Sequence, residues 1–317
     1  MKKKYKIKII KENKAGAAVL DKVGKDLTDL GVVPVVQFLN SPAGQDPKVR
    51  AALKSGLADG NPGDEKIGVA EAKPQVKGLK PTQNEISLMK SIGFPLSRVE
   101  TVKNAASGDI TGRNMTIVTS GDLVIDGHHR WSSTWAVVGP ERGVGIDAIN
   151  LFLPGNSPEE KLAGAQLAIA ATMDSNAGKL PSASAGPGDN IMGKGKDEIA
   201  EMIRQSIGKK VKGAPILGDE YLESIKKTKE GQEYFGLKPN DDNKTVINKI
   251  IEVVSSNLAS LPAPQGPERK FMPQFDGGET HKIDPADVFK TMRSGRLNFR
   301  SSFAESVVYD KWKKLIK

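Results

Sequence analysis

The chain has 317 residues, 38% of them hydrophobic and only 5% aromatic, with a formal net charge of +9 and a pI near 9.4. It has no cysteine, which excludes disulfides and thiolate metal sites and fits a cytoplasmic protein. No apolar run reaches the length of a membrane span, so no membrane partner is expected. The excess positive charge makes anionic partners plausible, nucleic acid first; the alternative is that lysines spread along the chain only confer solubility.

In chain order, 1–64 reads as an N-terminal extension. The opening MKKKYKIKIIKEN is basic, but its apolar residues alternate with lysines instead of forming a signal-peptide core. Lys4–Ile10 alternates like an edge strand. Ala15–Leu30 suggests a short helix. Gly31–Phe38 (GVVPVVQF) reads as a strand, with Pro34 favouring an edge. Ser41–Asp64 is Gly/Pro/Asp/Asn-rich around a brief helix at Pro47–Leu57.

Residues 65–175 read as an α+β domain with a small mixed sheet. Val69–Leu79 enters extended, Asn84–Ser91 is helical, Arg98–Val102 is a strand candidate and Ala105–Arg113 a polar loop. Asn114–Val138 then reads as strand, turn, strand, tight loop and helix. Met115–Thr119 and Leu123–Ile125 flank the turn residues Ser120-Gly121-Asp122, and Trp131, Trp135 and Val138 share one helical stripe. Gly145–Leu153 closes the sheet. Ser157-Pro158-Glu159-Glu160 is a strong helix start, with a cap, a first-turn proline and acids at the positive dipole end, and the helix should run to about Thr172.

Residues 176–196 are Gly/Ser/Pro/Ala-rich and suggest a linker or loose loop. The region 197–260 is mainly helical, with amphipathic stretches at Asp197–Ile207, Asp219–Lys229 and Lys244–Leu258. A plain bundle is favoured over a helix-turn-helix, because no second helix carries a set of base-reading polar residues. Residues 261–317 read as a Pro-rich arm, either wrapping over a neighbouring surface or merely connecting, and a C-terminal helix. There Arg293, Arg296 and Arg300 form a basic cluster beside Phe299, Phe303, Val307 and Trp312. Arginines with aromatics can stack on nucleic acid, though packing of a terminal helix is the commoner use.

The chemistry concentrates at Asp126-Gly127-His128-His129-Arg130, where two of the three histidines and an arginine occupy one strand-to-helix turn. A glycine at such a turn aims free N–H groups and a positive helix end at one point, which suits a phosphate. Gly127 allows close approach, and Arg130 is a natural fork for phosphate oxygens. Adjacent histidines on a helix point about 100° apart, so one of His128 and His129 should meet phosphate while the other packs or orients Asp126. Asp126 is a helix cap, or else a general base or a ligand for Mg²⁺ bridging to phosphate. Glu85 is a further candidate acid. Zinc is not expected: only His281 remains besides the pair, and no His-Glu-x-x-His spacing occurs. Gly193-Lys194-Gly195-Lys196 lacks the hydroxyl and the preceding strand of a P-loop.

Asp-Gly-His-His-Arg after a short strand and before a helix resembles the signature turn of the ParB/sulfiredoxin superfamily, in the wording of its ParB-like domains and free-serine kinases. Leu79-Lys80-Pro81-Thr82-Gln83, followed by Asn84–Ile92, is similar to the ParB box in which a Pro…Gln pair precedes the first helix. The resemblance spans roughly residues 65–175, about a third of the chain. No cysteine precedes His129-Arg130, which excludes sulfiredoxin's reductase chemistry, and the Gly-Glu-Arg-Arg form of the CTP-dependent partition proteins is absent. The resemblance implies a ParB/sulfiredoxin-like fold that binds a nucleoside triphosphate or diphosphate, with Mg²⁺, through Gln83, Gly127, His128, His129 and Arg130. Asp126, His128, His129 and Glu85 are then the catalytic candidates. Three functions follow: nucleotide- or DNA-phosphate binding with phosphodiester or NTP hydrolysis, small-molecule kinase activity of the free-serine type, or a non-catalytic DNA-associated role. For DNA, the positive charge at Lys2–Lys14, Lys209–Lys212 and Arg293–Lys317 should converge near the turn.

Overall fold

The computed structural model describes residues 26–58, 66–109, 117–173, 178–182, 189–275 and 283–299. The expected strand at Lys4–Ile10, most of the expected helix at Ala15–Leu30, and Phe303, Val307, Trp312, Arg300 and His281 lie outside them.

Leu27–Leu30 is a single 3₁₀ turn, and Gly31, at φ 77°, redirects the chain into α1 (Val32–Leu39) where a strand was expected. Pro34 lies in the first turn of α1, where its missing N–H has no intrahelical role to lose. Val32, Val35, Val36 and Leu39 recur at i, i+3, i+4 and i+7 and are all buried, so helical periodicity outweighs the β-branched composition. Asp46 caps α2 (Pro47–Ala52) through Lys48 N–H at 2.9 Å; beyond it Gly56–Ala58 is a 3₁₀ turn. After β1 (Gly68–Ala72) and β2 (Lys80–Pro81), the expected helix from Asn84 is delayed to α3 (Leu88–Ile92), capped by Ser87. Arg98–Val102, expected as a strand, instead opens α4 (Val99–Ser107). Thr101, Val102 and Ala105 are buried at helical spacing, and left-handed Gly108 (φ 89°) closes the helix.

The central stretch folds as expected. β3 (Ile117–Ser120) turns at Gly121 into β4 (Leu123–Asp126), and Gly127 leads into α5 (His128–Val138). β5 (Ala148–Phe152) follows. α6 (Pro158–Thr172) begins with a full capping box between Ser157 and Glu160. Then come α7 (Lys196–Arg204), a hairpin of β6 (Lys210–Val211) and β7 (Ala214–Pro215), α8 (Asp219–Ile225), α9 (Lys229–Phe235) and α10 (Asn243–Ala259). The expected helix Asp219–Lys229 therefore ends early, at Ile225, and a separate, unexpected helix begins at Lys229, where Thr228 Oγ1 accepts Gly231 N–H at 2.9 Å. α11 (Pro285–Arg293) starts at Asp284, whose carboxylate accepts from Ala286 N–H.

The chain is mixed α and β, and it clusters into two compact units, each built from separate stretches of sequence. The first comprises residues up to Val69, Phe152–Ala183 and residues from Phe271 onward. In it α1 and α11 pack on α6, whose Leu162, Leu167, Ala168 and Ile169 are fully buried. The second comprises Ala70–Leu151 and Ser184–Lys270, so the helices of 197–260 share a unit with the strands before them.

A five-stranded mixed sheet runs in the order β1-β5-β3-β4-β2. β3 pairs antiparallel with β4 and parallel with β5, while β2 runs parallel to β4. α5 is the central helix of the second unit. Its Trp131 and Trp135 meet edge-to-face at 5.4 Å and donate to Val76 O (3.2 Å) and Asn257 O (2.8 Å). The Asn257 bond comes from α10, which packs on both α5 and α7.

The Gly-rich segment before α7 does not behave as a plain linker where it is described. Asp189 Oδ2 accepts from Met89 N–H at 3.1 Å and from Ser87 Oγ, and Asn190 Oδ1 accepts from Ile86 N–H at 2.9 Å. Ile191 donates back to Ile86 O at 2.9 Å, and its side chain is buried. These bonds brace the start of α3 from outside.

Candidate functional site

Gly127 has φ 84°, a left-handed conformation natural to glycine. A β-carbon there would lie 2.9 Å from Ile117 Cγ2 and 3.0 Å from Arg130 Nη2, so space as well as backbone angle demands glycine. Asp126 Oδ1 accepts the N–H of Gly127 at 2.7 Å, and no side chain caps α5. The donors left at the helix start are thus the N–H groups of His128, His129 and Arg130, because Trp131 N–H already bonds Gly127 O at 3.0 Å. Gly127 was expected among the phosphate donors; its own N–H is spent on Asp126, and what it contributes is the turn.

The two imidazoles diverge as adjacent helical residues must, and both grip the same loop. His128 Nε2 accepts the N–H groups of Thr82 and Gln83, each at 3.2 Å. His129 Nε2 accepts the N–H of Ser87 at 3.1 Å. In a helix extended to Asn84 the N–H groups of Leu88 and Met89 would bond Asn84 O and Glu85 O; they go instead to Asp189 O at 2.8 Å and Asp189 Oδ2 at 3.1 Å, which explains the late helix start. His128 is buried, and desolvation drops its pKa to about 3, helped by His129, Arg269 and Arg130. Desolvation also drops His129 to about 3, with Arg269, Lys90 and Arg130 adding to it. Both rings are therefore neutral acceptors at pH 7. Either one was a candidate for meeting phosphate; the structure turns the Nε2 of both toward the loop.

Gln83, another expected phosphate ligand, is buried, and its amide nitrogen donates to Glu85 O within the loop. Glu85 lies between the anchored Gln83 and Ser87, in the segment that abuts the turn, and is partly exposed. Asp126 is partly exposed beside the helix start. Among the described residues no group of three His, Cys, Asp or Glu could hold a metal. Asp126 alone makes no cage, but a single carboxylate completed by phosphate oxygens is an ordinary setting for Mg²⁺.

Arg130 lies over the turn it belongs to. Its Nε is buried with no hydrogen-bond partner, and no carboxylate comes within 4.0 Å of its guanidinium among the described residues. Arg269 shares both properties: a buried, unpartnered Nε and, among the described residues, no ion pair. Sequence reasoning missed it. It lies in the Pro-rich arm with no helical or motif spacing to the turn, and only the docking of that arm brings it in.

The basic cluster resolves differently. Arg293, at the end of α11, and Arg296 are exposed and belong to the first unit, whereas the turn belongs to the second. Lys209, Lys210 and Lys212 are exposed on the β6–β7 hairpin of the second unit, where Lys212 Nζ and the Arg98 guanidinium sit 5.5 and 5.3 Å from the Phe94 ring centroid. Among the described residues no helix is long and apolar enough to cross a membrane. Comparison with family models, with curated proteins and with solved structures gave no match.

Proposed function

We propose that the Gly127 turn binds the phosphate of a nucleotide or of a nucleic acid backbone in a ParB/sulfiredoxin-like setting, with phosphodiester or NTP hydrolysis as the reaction. One observation carries this reading: Arg130, with a buried Nε and, among the described residues, no counter-ion, overlies a glycine-led helix start whose first N–H groups have no acceptor among those residues. Burying part of an arginine without an acid is costly unless an anion completes it. The neutral imidazoles serve as the wall that holds loop 82–87 in place, and Asp126 is the carboxylate best placed to hold Mg²⁺ or accept a proton from an attacking hydroxyl or water.

Arg130→Ala should cost on the order of 1.5–3 kcal/mol of nucleotide binding, the loss of a charge-assisted bond. Calorimetric titration of a nucleotide panel with and without Mg²⁺ measures this; unchanged affinity in the variant rejects the turn as the site. Asp126→Asn should abolish turnover while keeping or improving affinity, because it removes a base and a repulsive charge together. Parallel loss of folding and binding would reduce Asp126 to a structural role.

A second reading, a small-molecule kinase of the free-serine type, draws on the same turn, with Asp126 as base for an acceptor hydroxyl. A non-catalytic DNA-associated role is the third. Nucleic acid separates them. If the basic hairpin at Lys209–Lys212 and Arg293, Arg296 and Arg300 serve a DNA backbone, retention should be sequence-independent and fall steeply with salt, and changing the three arginines to Ala should flatten the salt slope by up to about three units. No retention at low salt would remove DNA and promote the kinase.

A further inference from the structure

The arm that leaves α10 returns to the turn from outside the stretch that carries it. Gln265 N–H donates to Pro81 O at 2.8 Å, one residue before Thr82 and Gln83, the two residues whose N–H groups His128 accepts. Four residues later Arg269 opens a 3₁₀ turn. Its charge acts on both imidazoles of the turn, alongside that of Arg130. The charges of two arginines thus act on one pair of neutral histidines; each arginine has a buried Nε with no hydrogen-bond partner, and neither has a carboxylate within ion-pair distance among the described residues. Two like charges acting on one partly dry spot, with no acid to offset them, are costly, and an anion bound there relieves that cost.

We infer that Arg269 is a second anion-binding residue of the Gly127 site, delivered by the arm, and that anion binding fastens the arm to the turn. This rests on the reading of the turn as a phosphate site. Arg269 is the donor that the turn's own five residues do not supply. The arm becomes a ligand-dependent clasp, held in the free protein by the Gln265–Pro81 bond.

The test titrates inorganic pyrophosphate into the full chain by calorimetry and follows amide exchange across 261–270. Arg269→Ala should weaken binding by about 10- to 100-fold, the scale of one charge-assisted bond. Arg269→Lys should lose less, because it keeps the charge without the fork. Lys270→Ala, at an exposed position paired with Glu268 at 2.6 Å, should bind as wild type. Pyrophosphate should slow exchange in the arm of the wild type and not in that of Arg269→Ala. If Arg130→Ala loses binding while both Arg269 variants stay within about twofold of wild type, a binding step too small to count as a lost bond, the inference fails and the turn reading stands. If the wild type binds no pyrophosphate, or Arg130→Ala binds normally, the turn reading itself fails and takes this inference with it. Should Arg269→Ala not fold, Arg269→Lys decides, and wild-type affinity there overturns the inference.

Discussion

Acid should unfold the second unit early, with stability falling from about pH 6.5 downward. His128 and His129 titrate near pH 3 in the folded protein, because burial disfavours their charged forms, and near 6.5 once unfolded. The unfolded state therefore takes up protons first. The penalty is absent above pH 6.5, grows as the pH drops and levels off near the folded values. At pH 5 it amounts to roughly 2 kcal/mol per imidazole, a large share of the 5–15 kcal/mol that holds a domain together. The structural reason is direct: a proton on Nε2 of His128 would face the N–H groups of Thr82 and Gln83, donor against donor. Urea unfolding at pH 7.5 and pH 5 measures the effect. His128→Ala should already lose about 3 kcal/mol at pH 7.5, from two buried donors left unpaired, and should show a shallower acid slope. Equal urea midpoints for the wild type at both pH values would show that the imidazoles are not buried acceptors.

Arg50→Ala should be the most damaging change in the first unit. Arg50 is only 4% exposed and donates from Nε to Gly44 O (2.9 Å) and from Nη2 to Leu39 O (2.9 Å) and Gly178 O (3.1 Å). Among the described residues no acid pairs with it; burial lowers its pKa to about 10, so it remains charged at neutral pH. Leu39 O is one of the orphan carbonyls at the end of α1, and Gly178 O belongs to a segment remote in sequence, so a single fork joins three turns of chain. Truncation leaves three carbonyls without donors and a void where the guanidinium stood, at a cost of about 3–5 kcal/mol. Arg50→Lys should recover less than half, since one ammonium cannot reproduce the fork. Thermal unfolding of both variants checks this; a loss under about 1 kcal/mol for Arg50→Ala would show that the carbonyls find other partners.

The parts of the fold legible in sequence are those with local causes. β3, its Gly121 turn, β4 and α5 follow from strand alternation and a glycine-led turn, and α6 from the Ser157–Glu160 capping box. α1 and α4 were misread because Val32, Val33, Val35 and Val36, and Val99, Thr101 and Val102, favour strands by composition, while burial on one helical face decides the outcome. At the site, Gly127 and Arg130 announce themselves by their place in a five-residue turn. The inward-facing bonds of the histidines, the bracing by Asp189 and Asn190, and the approach of Arg269 depend on segments about forty to a hundred and forty residues away, and no periodicity encodes those.

The interleaving of the two units bears on how the protein emerges from a ribosome. The strand and turn at 117–130 leave early, yet the clamp at 189–191 waits for about sixty further residues and the bond from Gln265 to Pro81 for well over a hundred. At about 5–20 residues per second, the turn spends several seconds without those partners. The first unit waits longer still, because Leu27 N–H finds its acceptor only at Phe299 O. A nascent chain paused after α10 would display the Gly127 turn with neither the arm nor Arg269; under the proposed phosphate reading, ribosome-bound chains stalled on either side of residue 269 should differ in their grip on phosphate.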